Sequence, residues 1–127
     1  MEEYDPNQDP PAEEWLALDE LERISLCEEY HRRHRIRTPN AQRHAVVHAI
    51  VENQLALAEP VVVATLARLR SEGLDRHGAI HAIGSVLSDH LDSLLRDPQS
   101  PDQSNERYHE ELRRLSTSKA ESRPTSQ

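Results

Sequence analysis

Apolar residues recur along the middle of this chain at intervals of three and four positions, which is the spacing of one helix face. Candidate start signals, such as Thr38 followed by proline and Pro60, precede two of these stretches. The alternation of period two that indicates a strand is not found in the sequence. The pattern predicts an all-α fold with four main helices, over residues 15–34, 38–58, 60–72 and 76–96.

Both ends of the chain lack this spacing. The first residues are acidic and rich in proline, whereas the last are rich in serine and threonine. Such compositions bury too little apolar surface to order a segment. We therefore expect a small helical bundle with disordered ends. Its parts are a disordered acidic tail (1–14), the bundle domain (15–96), a linker (97–104), a short C-terminal helix (105–115) and a disordered tail (116–127).

Length and charge narrow the class of protein. A chain of 127 residues is typical of one domain, and a net charge of −8 argues against a nucleic-acid partner. Cys27 is the only cysteine, so no intramolecular disulfide forms, as is typical of a reducing compartment. The sequence has no secretory signal and no apolar run long enough to span a membrane. We expect a cytoplasmic protein without a membrane partner, and a protein partner or a homodimer stays open.

One short phrase occurs twice. Arg-His-x-x-x-His-Ala-Ile begins at residue 43 and again at residue 76. Residues four apart lie on the same face of a helix. We therefore expect His44 to pair with His48 and His77 with His81. If the two helices pack side by side, the four imidazoles form one cluster.

Four neutral imidazoles can saturate a tetrahedral Zn²⁺ site or the equator of a Ni²⁺ or Cu²⁺ site. Glu52 lies one turn beyond His48, where a carboxylate could be a fifth ligand or accept an imidazole N–H. The sequence thus predicts a transition-metal site, with Zn²⁺ as first candidate and Ni²⁺, Cu²⁺ or Fe²⁺ as alternatives. Its predicted ligands are His44, His48, His77, His81 and Glu52. The competing interpretation is a metal-free helical protein–protein interaction module.

Signals of an enzyme are weak in this sequence. A glycine-rich phosphate loop and a nucleophile elbow are both missing. The second phrase approaches the His-Glu-x-x-His helix of zinc proteases, but Gly78 replaces the glutamate that activates water. We therefore assign no catalytic residue, and a metal-dependent hydrolase with Glu52 as base is the weaker alternative.

Other histidines and the basic run have simpler interpretations. His90 shares a face with apolar residues and is expected in the core. The basic segment 31–37 is interpreted as a solvated helix end, where cations suit the helix dipole. Its alternative is a patch for phosphate, nucleic acid or an acidic protein.

The order of several phrases along the chain resembles an uncharacterised bacterial family of small helical proteins, defined only as a domain of unknown function. The shared phrases are Trp-Leu-Ala-Leu-Asp-Glu at 15–20, Tyr-His-Arg-Arg at 30–33, the two histidine phrases, and Asn105-x-x-Tyr108. The resemblance covers about residues 15–116 and implies no particular activity. In that family an acidic residue often follows the first histidine of the second phrase, where this chain has Gly78.

Overall fold

The computed structural model of the protein describes residues 1–117. These residues form six α-helices and no strand, which confirms the all-α prediction. The helices are α1 (Ala12–Ala17), α2 (Glu20–Arg33), α3 (Ala41–Ala56), α4 (Pro60–Ser71), α5 (Arg76–Arg96) and α6 (Pro101–Arg114). From residue 118 onward, the expected C-terminal tail lies outside the described residues.

Polar side chains cap the first turns of α2, α3 and α5, where backbone N–H groups lack partners within the helix. The side chains of Asp19, Asn40 and Asp75 each accept a hydrogen bond from the third backbone N–H that follows. α3 therefore begins at Ala41, later than the expected start at Thr38, because the Asn40 side chain accepts from the first turn. α4 begins at Pro60 as expected.

The expected first helix over residues 15–34 is two helices. Leu18 is extended and ends α1, and Asp19 then caps α2. The guanidinium of Arg23 bonds the carbonyls of Trp15 and Leu16, which satisfies the end of α1. The break lets Trp15 turn fully into the interior, where its indole N–H donates to Asn53.

The expectation of a disordered acidic tail over residues 1–14 differs from the structure. Tyr4 is only 2% exposed and packs 5.5 Å, centroid to centroid, from Trp15. Arg76 holds the same segment through the Pro6 carbonyl and the Asp9 carboxylate. The composition argument failed because one buried aromatic ring and one buried arginine anchor an otherwise polar segment.

The linker expected over residues 97–104 is also shorter than predicted. Ser100 caps α6, and Pro101 occupies its first turn. α6 then packs against α4 and α5, where it buries Tyr108 and Leu112. His90 lies buried as expected, and its Nε2 is 2.9 Å from the Ser104 hydroxyl on α6.

Two cores result from this packing, and α3 contributes to both. We call the first the aliphatic core, which lies among α3, α4, α5 and α6 and includes Val51, Leu69 and Ile83. We call the second the aromatic core, formed by Tyr4, Trp15, Cys27, Tyr30, Ala45 and Ala49. The histidines of the two repeated phrases lie on the side of α3 and α5 that faces α2 and the N-terminal segment.

Among the described helices, none is by itself both long and apolar enough to cross a membrane. Taken together, α3 and α4, which are bent by 106° at their junction, satisfy the same length and composition test.

Candidate metal centre

Four histidines from three helices converge inside the bundle. His31 comes from α2, His44 and His48 from α3, and His81 from α5. Each offers one ring nitrogen, and these four nitrogens all lie within 4.8 Å of one another. The first three side chains are buried and His81 is partly exposed. No carboxylate belongs to this group within residues 1–117.

The structure brings together three of the histidines that the repeated phrase singles out, and it places the fourth beside them. The His77 ring lies 4.3 Å from the His81 ring and 5.6 Å from the His48 ring, centroid to centroid. His77, in the first turn of α5, lies outside the converging four, although its Nε2 is buried without a hydrogen-bond partner among the described residues. The backbone N–H of His77 donates a hydrogen bond to the side-chain oxygen of Asn7.

The fourth member of the group is His31, which sequence reasoning assigned to a solvated basic segment. Its side chain is only 6% exposed, unlike its arginine neighbours. The missed signal is the buried face of α2, since Cys27 and His31 are one turn apart and share it. The high positive charge of segment 31–37 favoured an exposed interpretation for all of its residues, including His31, which is buried.

Hydrogen bonds assign the lone pair of His31. Its Nδ1 lies 2.7 Å from the Cys27 carbonyl, to which only an N–H can donate. The neutral ring therefore keeps its lone pair on Nε2. That atom lies 2.8 Å from Nε2 of His44. Anchoring one ring nitrogen to a carbonyl while the other ligates is the usual arrangement around a metal.

His48 is oriented by Tyr4. Its Nε2 lies 2.8 Å from the Tyr4 hydroxyl, and that hydroxyl donates its own hydrogen to Glu52. The phenol oxygen can then accept only from a protonated Nε2, which leaves the lone pair of His48 on Nδ1. Among the described residues, Nδ1 of His48 and Nδ1 of His44 have no hydrogen-bond partner.

Glu52, predicted as a fifth ligand or direct acceptor, occupies a different position. Its two oxygens accept from the two terminal nitrogens of Arg76, each at 2.8 Å, and both side chains are almost fully buried. Because both side chains are buried, the loss of either one would leave an uncompensated charge in the interior. Glu52 therefore acts on His48 only through Tyr4, and its commitment to Arg76 argues against a role as a general base.

Burial keeps the clustered imidazoles neutral. Loss of hydration lowers the pKa of His44 to about 4 and that of His81 to about 3, and neighbouring histidines lower both further. The pKa of His48 is held well below its ordinary value for the same reasons. Metal ligation requires the neutral form, so the rings are prepared for it at pH 7.

Two hydroxyl- and thiol-bearing neighbours stay protonated. Burial, followed by the charge of Glu52, raises the pKa of Tyr4 well above its ordinary value, so Tyr4 remains a hydrogen-bond donor. Burial likewise raises the pKa of the Cys27 thiol. A thiolate is the form that binds metals, so Cys27 is a packing residue here.

The dimensions of the group suit a first-row transition metal. Imidazole nitrogens bind Zn²⁺ at about 2.0–2.1 Å, so two ligands of one tetrahedral ion lie about 3.4 Å apart. A group contained within 4.8 Å is somewhat wider than this, so its farthest nitrogens would approach each other by up to about 1.4 Å on binding an ion. Comparisons with protein-family models, with curated proteins and with solved structures find no match to this chain.

Proposed function

We propose that this protein binds one transition-metal ion through His31, His44, His48 and His81, with Zn²⁺ as the first candidate. The observation that carries the proposal is the convergence of four ring nitrogens, from three helices, inside 4.8 Å. Four neutral nitrogen ligands match a tetrahedral zinc site, and they also leave Ni²⁺, Cu²⁺ and Fe²⁺ as alternatives.

Unsatisfied polar atoms support the proposal independently. Nδ1 of His44 and Nδ1 of His48 are buried without a hydrogen-bond partner among residues 1–117. Burying such an atom costs about 1–3 kcal/mol. An ion bound at either atom would offset the cost at that atom, whereas a metal-free core would retain it.

The ion would join parts of the chain that are otherwise held by packing. It would tie α2 to α3 and α5, and Tyr4 would connect the N-terminal segment to the same site. Because the site exists only in the folded chain, the free energy of metal binding would contribute to folding stability.

The test uses tag-free protein purified without chelator, with metal content measured by elemental mass spectrometry. We expect about one ion per chain in the wild type. His31→Gln should lower the metal affinity at least 10-fold, whereas His77→Gln should retain nearly full metal content. His109→Gln is the matched control, because His109 on α6 lies outside the cluster.

Helix content measured by circular dichroism must be equal in all four proteins. Wild-type protein that is folded yet metal-free under metal-replete conditions would contradict the proposal and favour the metal-free interaction module. Loss of the ion from His77→Gln but not from His31→Gln would restore the ligand set expected from the repeated phrase.

A further inference from the structure

A cavity of about 850 Å³ lies between α2 and the start of α3 and leads to the proposed metal site. His31 and His44 form part of its wall. Its other polar lining residues are Ser25, Glu28, Glu29, Arg32, Arg37, Thr38 and Gln42. Ligand pockets in proteins span about 300–1,000 Å³, so this cavity is large enough for a small molecule beside the ion.

The charge of the proposed site is not balanced by its ligands. Four neutral imidazoles leave the full charge of a divalent ion inside the bundle. Glu52 is buried nearby, but its charge is matched by Arg76, and Asp9, the second carboxylate on Arg76, is largely exposed to solvent. Asp5 and Asp75, on the His77 side, are exposed to solvent. A buried cation requires a nearby opposite charge, so the counter-charge must come from outside the ligand set.

The cavity carries an arginine that can receive such a charge. Glu29 pairs with both Arg32 and Arg33, which occupies these groups with one another. Arg37 also lines the cavity, and within residues 1–117 its side chain makes no ion pair or hydrogen bond. A planar guanidinium fork binds carboxylate and phosphate oxygens in a bidentate manner.

The negative charge of Glu28 limits the size and charge of a ligand that the cavity can hold. Its carboxylate also lines the cavity and is exposed to solvent. Repulsion from Glu28 disfavours a large ligand with several negative charges. A small oxyanion that reaches the ion and Arg37 together avoids most of this repulsion.

We propose that the cavity admits a small oxyanion, a carboxylate or a phosphate, that coordinates the metal ion beside His31 and His44 and pairs with Arg37. The proposal rests on the proposed metal-binding function. Four imidazoles saturate a tetrahedral Zn²⁺ site, but they fill only the equator of a Ni²⁺ or Cu²⁺ site, and zinc itself can expand from four to five ligands. A fifth, exogenous oxygen ligand is therefore chemically accessible. The site would then recognise an anionic molecule in addition to holding three helices together.

The experiment replaces the ion with Co²⁺, whose visible absorption reports its coordination number. Cobalt-loaded protein is titrated with sodium acetate and, separately, with inorganic phosphate, and sodium chloride provides equal ionic strength. We expect a saturable spectral change with acetate or phosphate that chloride does not reproduce. Arg37→Ala should weaken this response about 5- to 20-fold and leave cobalt stoichiometry unchanged. Arg70→Ala, an exposed arginine on α4, is the matched control.

A second variant tests the route. Ala41 lines the cavity and is exposed, so Ala41→Trp should obstruct the cavity and abolish the anion response while cobalt still binds. A cobalt spectrum that ignores both anions would overturn this inference alone. A response that persists unchanged in Arg37→Ala and Ala41→Trp would place the anion elsewhere and also overturn it. Absence of cobalt binding would overturn the proposed function, and this inference with it.

Discussion

The aliphatic core and the histidine cluster are stabilised in different ways, although α3 and α5 contribute to both. Val51 and Ile83 are fully buried among apolar side chains. Such residues need only close packing and no hydrogen-bond partner. His48 lies on α3 a few residues from Val51, yet it depends on Tyr4, on neighbouring imidazoles and on its own neutrality. The comparison shows that one helix can have two different buried faces. One face stabilises the fold by apolar packing alone, and the contribution of the other to stability depends on pH and on a bound ion.

The largest expected effect comes from breaking the buried ion pair beneath the histidines. Glu52→Ala leaves Arg76 charged and buried without its main partner, because the remaining carboxylate, Asp9, is largely exposed. We expect a loss of about 3–5 kcal/mol in the free energy of unfolding, measured by urea denaturation.

Leu69→Ala provides the matched change in the aliphatic core. Leu69 is fully buried on α4, so truncation should cost about 2–5 kcal/mol by creating a cavity. Metal affinity should fall in Glu52→Ala and stay unchanged in Leu69→Ala when folded protein is compared. Equal losses of metal affinity in both variants would mean that the two regions are not separable.

Acid should weaken the metal-free protein through the histidine cluster. Burial lowers the pKa of His44 to about 4 and that of His81 to about 3 in the folded state, against 6.5 when exposed. Below about pH 6.5 the unfolded chain therefore binds more protons than the folded chain, and stability falls as pH falls. Between pH 7 and pH 5 each of these two imidazoles should remove about 2 kcal/mol, and His48 and His77, whose pKa values are lowered as well, should add to this loss.

The measurement is urea denaturation of chelator-treated protein across this pH range. Leu69→Ala should show the same pH dependence as the wild type, displaced to lower stability, because it alters no titrating group. A wild-type curve that is flat from pH 7 to pH 5 would show that the imidazoles are hydrated in solution.

The smallest effect should come from removing one hydroxyl. Tyr4→Phe deletes the link between His48 and Glu52, so we expect a stability loss of about 1–2 kcal/mol. Metal affinity, measured by competition with a chromophoric chelator, should fall about 10-fold because His48 loses its orienting partner. Tyr108→Phe is the control, since its hydroxyl donates to Gln54 beside the aliphatic core. A similar loss of metal affinity in Tyr108→Phe would exclude a specific role for Tyr4.

Local signals in the sequence located most helices and part of the cluster. Pro60 marked the start of α4, and the spacing within each phrase correctly placed His44 above His48 on one helix. The break between α1 and α2 was missed because Leu18 fits the helical pattern, whereas the Asp19 cap and the bonds from Arg23 favour a turn. Residues 1–11 were misjudged because composition does not register one anchored tyrosine.

Sequence alone determined that this chain is helical, that α4 begins at Pro60, and that two helices each carry a histidine pair, because these properties depend on residues within one or two turns. Tertiary structure decided which imidazoles converge. It brought in His31 from α2, left His77 at the edge, and placed Tyr4 beside His48, 44 positions along the chain. It also turned Glu52 from a candidate ligand into the partner of Arg76. Contacts between distant segments depend on how whole helices pack, and no local spacing encodes that geometry.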